Sequence, residues 1–426
     1  MADISLSTTS LPILPTLPAV IPPTTQLNFI RNWWKRSDRT AAIAEARLLH
    51  RIYSGQPNSI PLLGQLMKVP LDDQHDPRRQ RLVNTFYLRQ LPTGAPFTLQ
   101  ENTEFAPIQE DGSKNLVVCH GYGAGLGFFY RNYFSMSQIP GLRLFAIDWL
   151  GMGRSSRPRW TIAPKNNESW DEIVHEAEDH FVQSLEDWRK SVGLDKMTLM
   201  GHSMGGYFAV CYALKYPKRV EKLILVSPAG IPEAPPEQQI PENNPPSEAL
   251  NREAAQLNAS LQQEAATAET AVRSNTPQRK IPEWARYLWD NNVTPMRIVR
   301  LSGPFGARLV NLYTSRRFAH LAKEEQHDLY DYLYHITSST GSGEYALAAI
   351  LAPGAFARKP LFHRLAQLEM PTVFIYGEND WMDYRAAEKA SKFMTVPTKV
   401  IRVPGGHHMY LDKSTLFDAA LAKELA

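Results

Sequence analysis

The chain has few cysteines, no long apolar run and little net charge, and each absence excludes a class of protein. Its two cysteines, Cys119 and Cys211, each lie in an apolar stretch, so we expect buried thiols in a reducing compartment rather than a disulfide framework. No run of about 18 apolar residues occurs, so no transmembrane helix is expected. The formal net charge of +3 is too small to indicate nucleic acid as a partner.

The first 30 residues carry a single charge, Asp3, and are rich in serine, threonine and proline. Such a segment cannot bury enough apolar surface to offset the entropy of ordering, so residues 1–30 are predicted to be disordered. A secretory signal is not expected, because the segment has no basic n-region. The first arginine is Arg31, later than in most mitochondrial presequences, and a mitochondrial address stays open.

Residues 31–80 are predicted to form an amphipathic helical region. Two adjacent tryptophans precede three basic residues, in the order Trp33, Trp34, Lys35, Arg36 and Arg39. A helical pattern of apolar residues then runs over about 38–53. Tryptophan beside lysine and arginine suits a membrane interface, but a helix packed on the domain with solvated charges would show the same residues. Both interpretations stay open.

From residue 81 the sequence alternates between strand and helix patterns. Antiparallel strands are predicted at 85–88 and 97–99, followed by buried strands at 116–119, 142–147, 197–200 and 223–226. A long helix pattern covers 170–192. Alternation of this kind predicts an α/β fold with a mostly parallel, eight-stranded sheet and helices on both faces, the first part of which spans 81–230.

The alternation stops near Gly230, where a proline-rich stretch begins. Six prolines fall within 232–246, a polar segment follows to about 276, and helical, aromatic sequence continues to about 349. Strand patterns return at 372–376 and 399–403. We therefore expect a helical cap over 231–349, inserted after the sixth strand, and a second core segment over 350–426.

The pentapeptide Gly201-His202-Ser203-Met204-Gly205 fits the G-x-S-x-G nucleophile elbow of serine hydrolases. A strand pattern precedes it and a helix pattern follows, which is the context that this motif requires. The serine of an elbow occupies a strained turn, and glycines at 201 and 205 avoid a clash with the crossing chain. Ser203 is therefore the predicted nucleophile.

A serine nucleophile needs a base, and the base needs an acid that holds its tautomer. After the strand at 372–376, Asp380 and Asp383 are both candidates for the acid; Asp380 is preferred, and Asp383 could instead cap the next helix. After the strand at 399–403, His407 is the preferred base and His408 its rival. Asp412 completes an H-x-x-x-x-D motif with His407, as in glycerolipid acyltransferases, but it could simply orient the turn or cap the last helix.

Two backbone amides are predicted to stabilise the oxyanion. One is the amide of Met204, directly after the nucleophile. The other is the amide of Tyr122, in the glycine-rich loop His120–Gly125 that follows the third strand, where His120 is expected to support the loop. The loop lacks the lysine of a P-loop and the spacing of a dinucleotide motif, and no histidine spacing indicates zinc. No cofactor and no metal site are predicted.

Several motifs together resemble one branch of the α/β-hydrolases. The matching stretches are His120–Gly125, Asp148–Ser156, Gly201–Tyr207, Gly341–Glu344, Gly354–Pro360 and the closing H-x-x-x-x-D. Over about 80–425 the chain is similar to the branch of the comparative-gene-identification-58 lipase coactivator, the N-acyl-phospholipid lysophospholipases and the fungal cardiolipin-specific deacylases. The resemblance implies an acyl chain of a membrane lipid as substrate. The coactivator has asparagine at the nucleophile position, whereas this chain keeps Ser203, which favours catalysis.

These observations predict a serine hydrolase that cleaves acyl esters of phospholipids or lysophospholipids, cardiolipin among them. The alternatives are a lysophospholipid acyltransferase with the same nucleophile, a soluble hydrolase of small esters or peptides, and a lipase coactivator without catalysis. We expect an intracellular protein at a peripheral membrane surface, with the mitochondrion and the lipid droplet as candidate compartments. The sequence gives no basis for an oligomeric state.

Overall fold

The computed structural model describes residues 26–53, 61–71, 81–91, 97–109, 111–162, 169–234, 289, 292–352 and 356–425. Most of the segment predicted to be disordered, and the proline-rich and polar stretch from 235 to 288, lie outside the described residues. Helix α1 (Gln26–Trp34) begins inside the segment for which the composition predicts disorder. It packs against a helix of the cap and buries Phe29, a tertiary contact that the local composition does not reveal.

One sheet of nine strands forms the centre of the described structure. Its strands are β1 (Leu62–Pro70), β2 (Leu82–Gln90), β3 (Phe97–Thr103), β4 (Lys114–Cys119), β5 (Leu142–Ile147), β6 (Met197–His202), β7 (Val220–Val226), β8 (Thr372–Gly377) and β9 (Thr398–Val403). Their order across the sheet is β3-β1-β2-β5-β4-β6-β7-β8-β9. The prediction of eight strands is therefore wrong by one.

The additional strand is β1, which lies within the region predicted to be helical, residues 31–80. Buried and partly buried side chains nearly alternate along it, but Gly64 and the charged Lys68 weaken the strand pattern. Lys68 is accommodated because its ammonium group donates to the carbonyl oxygen of Arg154. Every later strand is numbered one higher than predicted, so the glycine-rich loop follows the fourth strand and the cap follows the seventh.

Strand β2 alone among the described strands runs opposite to the others. It pairs antiparallel with β1 and with β5, whereas the pairs from β5 to β9 are all parallel. Strand β3 was predicted to be antiparallel, and it does run opposite to β2. However, it hydrogen-bonds to the outer side of β1, to which it is parallel.

Helices cover both faces of this sheet, as predicted. The core helices are α2 (Asp38–His50), α3 (Tyr133–Ser137), α4 (Trp170–Val192), α5 (Met204–Lys215), α10 (Tyr384–Ser391), α11 (Met409–Asp412) and α12 (Ser414–Leu425). Between β7 and β8 the described cap contains α6 (Pro295–Leu301), α7 (Pro304–Arg317), α8 (Lys323–Ser338) and α9 (Ala346–Ile350). Among all the residues that the structure describes, no helix combines the length and the apolar character needed to cross a membrane.

Alternate residues of the strands point to different cores. Val117 and Cys119 of β4 join the core under α4 and α5, whereas Leu116 and Val118 join the core under α3 and the cap. This period of two is what a strand buried on both faces requires. Both cysteines, Cys119 and Cys211, are buried and free, and burial raises the pKa of each thiol.

The N-terminal helices are packed on the cap. Helix α1 contacts α7, and α2 contacts α8. Arg47 of α2 donates to Asp331 of α8 at 2.9 Å, and Arg51 donates to Asp328 at 2.5 Å. Helix α2 is thus part of the folded domain, while Trp34 at the end of α1 is 79% exposed. The structure agrees with the packed interpretation for α2, and the membrane-interface interpretation stays a prediction.

A buried polar cluster fastens α2 to the sheet beside the glycine-rich loop. The amide of Asn84 in β2 donates to Glu45 at 2.9 Å and to Asp148 at 2.8 Å. Arg154 donates to Glu45 through its guanidinium group and to Asp148 through its backbone amide. Burial raises the pKa of Glu45, and the charge of Arg154 opposes that rise. Asp148 also accepts from the amide of Leu126 at 2.7 Å, which connects the cluster to the loop.

We expect Asn84→Ala to lower the free energy of unfolding by about 3 kcal/mol or more. A hydrogen bond to a charged group contributes roughly 1.5–3 kcal/mol, and Asn84 donates two to buried carboxylates. Urea denaturation followed by tryptophan fluorescence measures the loss. The matched control is Gln65→Ala, which removes a half-buried bond between two neutral amides and should cost about 1 kcal/mol. Equal losses for both variants would contradict a special role for the cluster.

Candidate active site

Ser203 occupies a strained turn between β6 and α5. Its backbone has φ 54° and ψ −121°, a conformation that a non-glycine residue adopts only at a cost of roughly 1–3 kcal/mol. The surrounding backbone holds it there: the amide of Ser203 donates to Val226 of β7 at 2.9 Å, and its carbonyl accepts from Gly206 at 2.9 Å and Ala229 at 3.0 Å. The side chain lies at the start of α5 and is 9% exposed.

The glycines of the elbow leave room for the backbone that crosses it. A Cβ atom on Gly201 would collide with the carbonyl oxygen of Gly205, and a Cβ atom on Gly205 would collide with that of His120. A Cβ atom on Gly121 would lie 2.9 Å from the Cβ of Ser203. The glycine-rich loop therefore lies directly against the serine, which is the arrangement that the sequence predicts for these three positions.

Asp380 and His407 are in hydrogen-bond contact. Nδ1 of His407 lies 3.0 Å from Oδ1 of Asp380 and 3.3 Å from Oδ2. The carboxylate of Asp380 is fully buried, and Oδ1 also accepts from the amide of Met382 at 3.0 Å. Asp383 instead caps α10, where it accepts from the amide of Arg385 at 3.0 Å. Of the two candidate acids, Asp380 is thus the one that touches the histidine.

The elbow and the turn of His407 are joined through His202. Nε2 of His202 lies 3.0 Å from the carbonyl oxygen of His407, and the centroids of the two rings are 4.7 Å apart. A carbonyl only accepts, so His202 carries its proton on Nε2. Burial, together with the neighbouring His407, lowers the pKa of His202 well below its usual value. A neutral His202 therefore places His407 beside the elbow that carries Ser203.

His408 faces the cap. Its Nδ1 lies 3.1 Å from Nη2 of Arg317, the last residue of α7. A guanidinium group only donates, so Nδ1 of His408 is an acceptor. Burial, together with the neighbouring His202, His407 and Arg317, lowers the pKa of His408 well below its usual value. Its described contacts run to the cap arginine and to aromatic rings, whereas His407 contacts the carboxylate of Asp380.

Asp412, the acid of the H-x-x-x-x-D motif, binds the same arginine. Its two carboxylate oxygens accept from Nη1 and Nη2 of Arg317, each at 3.0 Å, and His320 lies 3.6 Å away. In the part of the chain that the structure describes, no hydrogen bond joins Asp412 to His407. The motif therefore connects the turn that carries His407 to helix α7, in agreement with the interpretation that Asp412 orients the turn.

The glycine-rich loop carries one proposed oxyanion donor, and α5 carries the other. Met204 directly follows Ser203 as the first residue of α5, and Tyr122 follows Gly121, which lies against Ser203. His120 supports the loop from below: its Nδ1 contacts the carbonyl of Gly121 at 2.7 Å, and its Nε2 accepts from the amide of Trp149 at 3.2 Å. Burial lowers the pKa of His120, which keeps the ring neutral.

A small open cavity lies beside this loop, between the core and the cap. Its walls include Ala124, Met152, Arg157, Met296, Ile336 and Glu344. Arg157 donates to the backbone carbonyls of Gly153, Ile336 and Thr340. Burial lowers its pKa to about 10, so its charge is held in a poorly solvated place. Glu344 is held by Arg300 at 2.6 Å and 3.0 Å.

Three residues of this region were not predicted from the sequence. His202 is the first variable residue of G-x-S-x-G, a position that the motif does not specify. Arg317 lies 90 or more positions before the turn it binds, so no local pattern indicates the contact. Trp381 is 58% exposed, and its ring centroid lies 5.1 Å from that of His407. Among the described residues, no cluster of histidine, cysteine, aspartate or glutamate is arranged to hold a metal ion.

We expect Arg317→Met and Asp412→Asn to be coupled in a double-mutant cycle by about 1–2 kcal/mol of unfolding free energy, because each variant removes the same partly buried ion pair. Chemical denaturation of the two single variants and the double variant gives the value. The control cycle combines Arg317→Met with Asp179→Asn, whose ion pair with Lys215 joins α4 and α5, and should be additive. Additivity of Arg317 with Asp412 would contradict the connection between turn and cap.

Comparison with known proteins agrees with this architecture. The chain matches the α/β hydrolase fold family over residues 114–414, which is more than half of its length. It is 40% identical over 320 residues to the 1-acylglycerol-3-phosphate O-acyltransferase of Arabidopsis thaliana, a match that covers 73% of this chain and 66% of that protein, just under two thirds of its length.

Two human proteins are also similar. The (lyso)-N-acylphosphatidylethanolamine lipase is 33% identical over 325 residues, covering 74% of this chain and 80% of the lipase. The 1-acylglycerol-3-phosphate O-acyltransferase ABHD5 is 31% identical over 313 residues, covering 71% of this chain and 75% of that protein. The resemblance drawn from the motifs is thereby confirmed. The chain belongs to the α/β hydrolase fold family, in the branch that contains the (lyso)-N-acylphosphatidylethanolamine lipases and ABHD5.

Proposed function

We propose that the protein is a serine acyl-ester hydrolase that acts on phospholipids or lysophospholipids through an acyl-enzyme. The observation that carries the proposal is the contact between Asp380 and Nδ1 of His407, next to the strained turn that presents Ser203. An acid on Nδ1 holds the proton there and leaves Nε2 as the base. A strained serine at an elbow beside such a pair is the arrangement that acyl transfer requires.

The proposed reaction has two halves. Oγ of Ser203 attacks the ester carbonyl carbon while Nε2 of His407 takes the hydroxyl proton, and the resulting oxyanion accepts from the amides of Met204 and Tyr122. The C–O bond of the ester then breaks, and the leaving alcohol takes the proton from His407. In the second half, a water molecule gives a proton to His407 and attacks the acyl carbon; the bond between that carbon and Oγ then breaks, His407 returns the proton to Oγ, and the fatty acid leaves. Each oxyanion donor contributes on the order of a hundredfold in rate.

The substrate class is inferred from the relatives and from the cavity. The relatives are named for lipids that carry both an acyl chain and a phosphate group. Arg157 lines the cavity beside the oxyanion loop, and among the described residues no carboxylate is hydrogen-bonded to its guanidinium group, which suits a phosphate. Cardiolipin belongs to the same class and stays among the candidate substrates. We also infer an intracellular, peripheral membrane location, with the mitochondrion and the lipid droplet as candidates.

A lysophospholipid acyltransferase is the second candidate. The 40% identity to a plant protein with that name favours it. The first half of the reaction is unchanged, and in the second half a hydroxyl group of a lysolipid replaces water as the acceptor. Because Asp412 binds Arg317 rather than His407, this activity would also run through Ser203.

Ser203→Ala should lower turnover by several orders of magnitude while leaving the thermal unfolding temperature nearly unchanged, because only the nucleophile is removed.

Asp380→Asn should lower turnover about ten-thousandfold, since the asparagine favours the wrong tautomer of His407. The matched control is Asp383→Asn, which makes the same change of side chain at the cap of α10, keeps an oxygen that can accept from Arg385, and should keep its turnover. Activity is measured as ester cleavage and as labelling of Ser203 by a fluorophosphonate. An unlabelled wild-type protein, or an unaffected Ser203→Ala variant, would refute the serine mechanism.

Product analysis should separate hydrolysis from transfer. Purified protein is incubated with phosphatidylcholine, cardiolipin, N-acylphosphatidylethanolamine or lysophosphatidic acid that carries a labelled acyl chain, with and without an unlabelled lysolipid acceptor. A hydrolase should release labelled fatty acid at a rate that the acceptor barely changes. A transferase should place the label on the acceptor at the expense of free fatty acid. If neither product forms from any of these lipids while the fluorophosphonate still labels Ser203, the remaining candidate is a hydrolase of small soluble esters or peptides.

A further inference from the structure

Helices α6 and α7 of the cap expose large apolar side chains. Leu301 is 75% exposed and Phe305 68% exposed, and further apolar residues are exposed along α7: Leu309, Leu312 and Tyr313. Phe305, Leu309, Leu312 and Arg316 are spaced i, i+4, i+7 and i+11, so they lie on one face of the helix. The opposite face is also apolar and is buried, with Ala307 and Val310 in the core. Helix α7 is therefore apolar on an outer face that the described structure leaves uncovered.

The three helices of this surface are rich in arginine, although Arg300 and Arg317 are already paired with Glu344 and Asp412. Helices α1, α6 and α7 contain no aspartate or glutamate, and they contain six arginines: Arg31, Arg297, Arg300, Arg308, Arg316 and Arg317. Arg308 and Arg316 are exposed on the outer face of α7 itself. Exposed apolar residues interleaved with arginines and without acidic residues complement a surface that is apolar beneath and anionic on top.

Helix α1 extends this surface. It packs on α7 and exposes Ile30 and Trp34, the second of which is 79% exposed. Lys35 and Arg36 follow Trp34 and are exposed as well. An aromatic ring beside basic residues is typical of segments at the level of lipid headgroups. Two helices that are distant in sequence thus present one kind of surface.

The C-terminal end of this α7 surface lies next to the turn that carries His407. Phe305 and Arg316 are separated by roughly 16 Å along the helix axis, at 1.5 Å per residue. The next residue, Arg317, binds Asp412 and His408. His408 directly follows His407, the proposed base, in the chain. A lipid surface in contact with α7 would therefore lie beside the residues proposed to cleave its acyl esters.

We propose that the outer face of α7, together with the exposed side chains of α1, docks on an anionic phospholipid surface. The proposal deepens the proposed function and rests on it for its purpose, but the binding itself does not depend on catalysis. A second copy of the chain is the competing occupant. Two copies would bring arginines against arginines on this face, which is unfavourable, whereas anionic headgroups neutralise them.

Flotation of the full-length protein with phospholipid vesicles tests the proposal. We use Ser203→Ala as the background, so that lipids are not consumed, and vesicles of phosphatidylcholine with and without phosphatidylserine. The parent should float with the anionic vesicles. Phe305→Ser with Leu309→Ser should abolish flotation, and Arg308→Gln with Arg316→Gln should weaken it by about fivefold for each arginine removed and only on anionic vesicles. The matched control is Phe393→Ser, a phenylalanine that is 65% exposed elsewhere, which should float like the parent.

Turnover of a short-chain soluble ester by the Ser203 protein separates docking from chemistry. Phe305→Ser with Leu309→Ser should keep this turnover and lose acyl release from vesicles. A parent that does not float, or a Phe305 and Leu309 variant that floats normally, would overturn the docking proposal while fluorophosphonate labelling still supports the hydrolase. Sedimentation of the parent as a dimer that this variant dissociates would assign the face to a second copy and would also overturn it.

Discussion

The strained backbone of Ser203 is the constraint on which the described site depends. A residue with φ 54° and ψ −121° would relax if its neighbours allowed it, and they do not. Its amide is bound to β7, its carbonyl accepts from α5 and from the segment after β7, and glycines at 121, 201 and 205 let three pieces of backbone meet around it. The backbone contacts of the surrounding strands and helix thus offset the strain that holds Ser203 in this sharp turn.

The remaining parts of the site are arranged around that corner by contacts from several directions. Strands β8 and β9 deliver Asp380 and His407 to the same edge of the sheet, because the carboxyl ends of parallel strands coincide there. His202 binds the backbone of the His407 turn from the elbow side, and Arg317 binds the same turn from the cap side. The turn is therefore held between core and cap, so the cap helix is part of the framework of the site as well as its cover.

The residues of the candidate site that belong to short motifs were predictable from the sequence. The contacts between segments far apart in the chain were not. G-x-S-x-G at 201–205 and the aspartate and histidine after the last two strands are short patterns with a fixed structural context, so Ser203, Asp380 and His407 could be selected before the fold was known. The choice between Asp380 and Asp383 depended on which carboxylate faces the histidine, and three-dimensional geometry alone gives this. Strand β1 was missed because Gly64 and Lys68 disturb its pattern, and the partly buried lysine is accommodated by its hydrogen bond to the carbonyl of Arg154. The role of Arg317 depends on packing between segments about 90 residues apart, for which a single sequence carries no local signal.

The two buried cysteine thiols can report how often the structure around Ser203 opens. Cys119 is the last residue of β4, immediately before the loop that lies against Ser203, and Cys211 is inside the helix that begins at the elbow. Because burial raises the pKa of both, neither thiolate forms readily in the folded protein, and alkylating reagents can reach them only after the chain opens locally. The rate at which each cysteine is alkylated under native conditions would therefore measure how often the two sides of the elbow come apart, without any substrate or any introduced label.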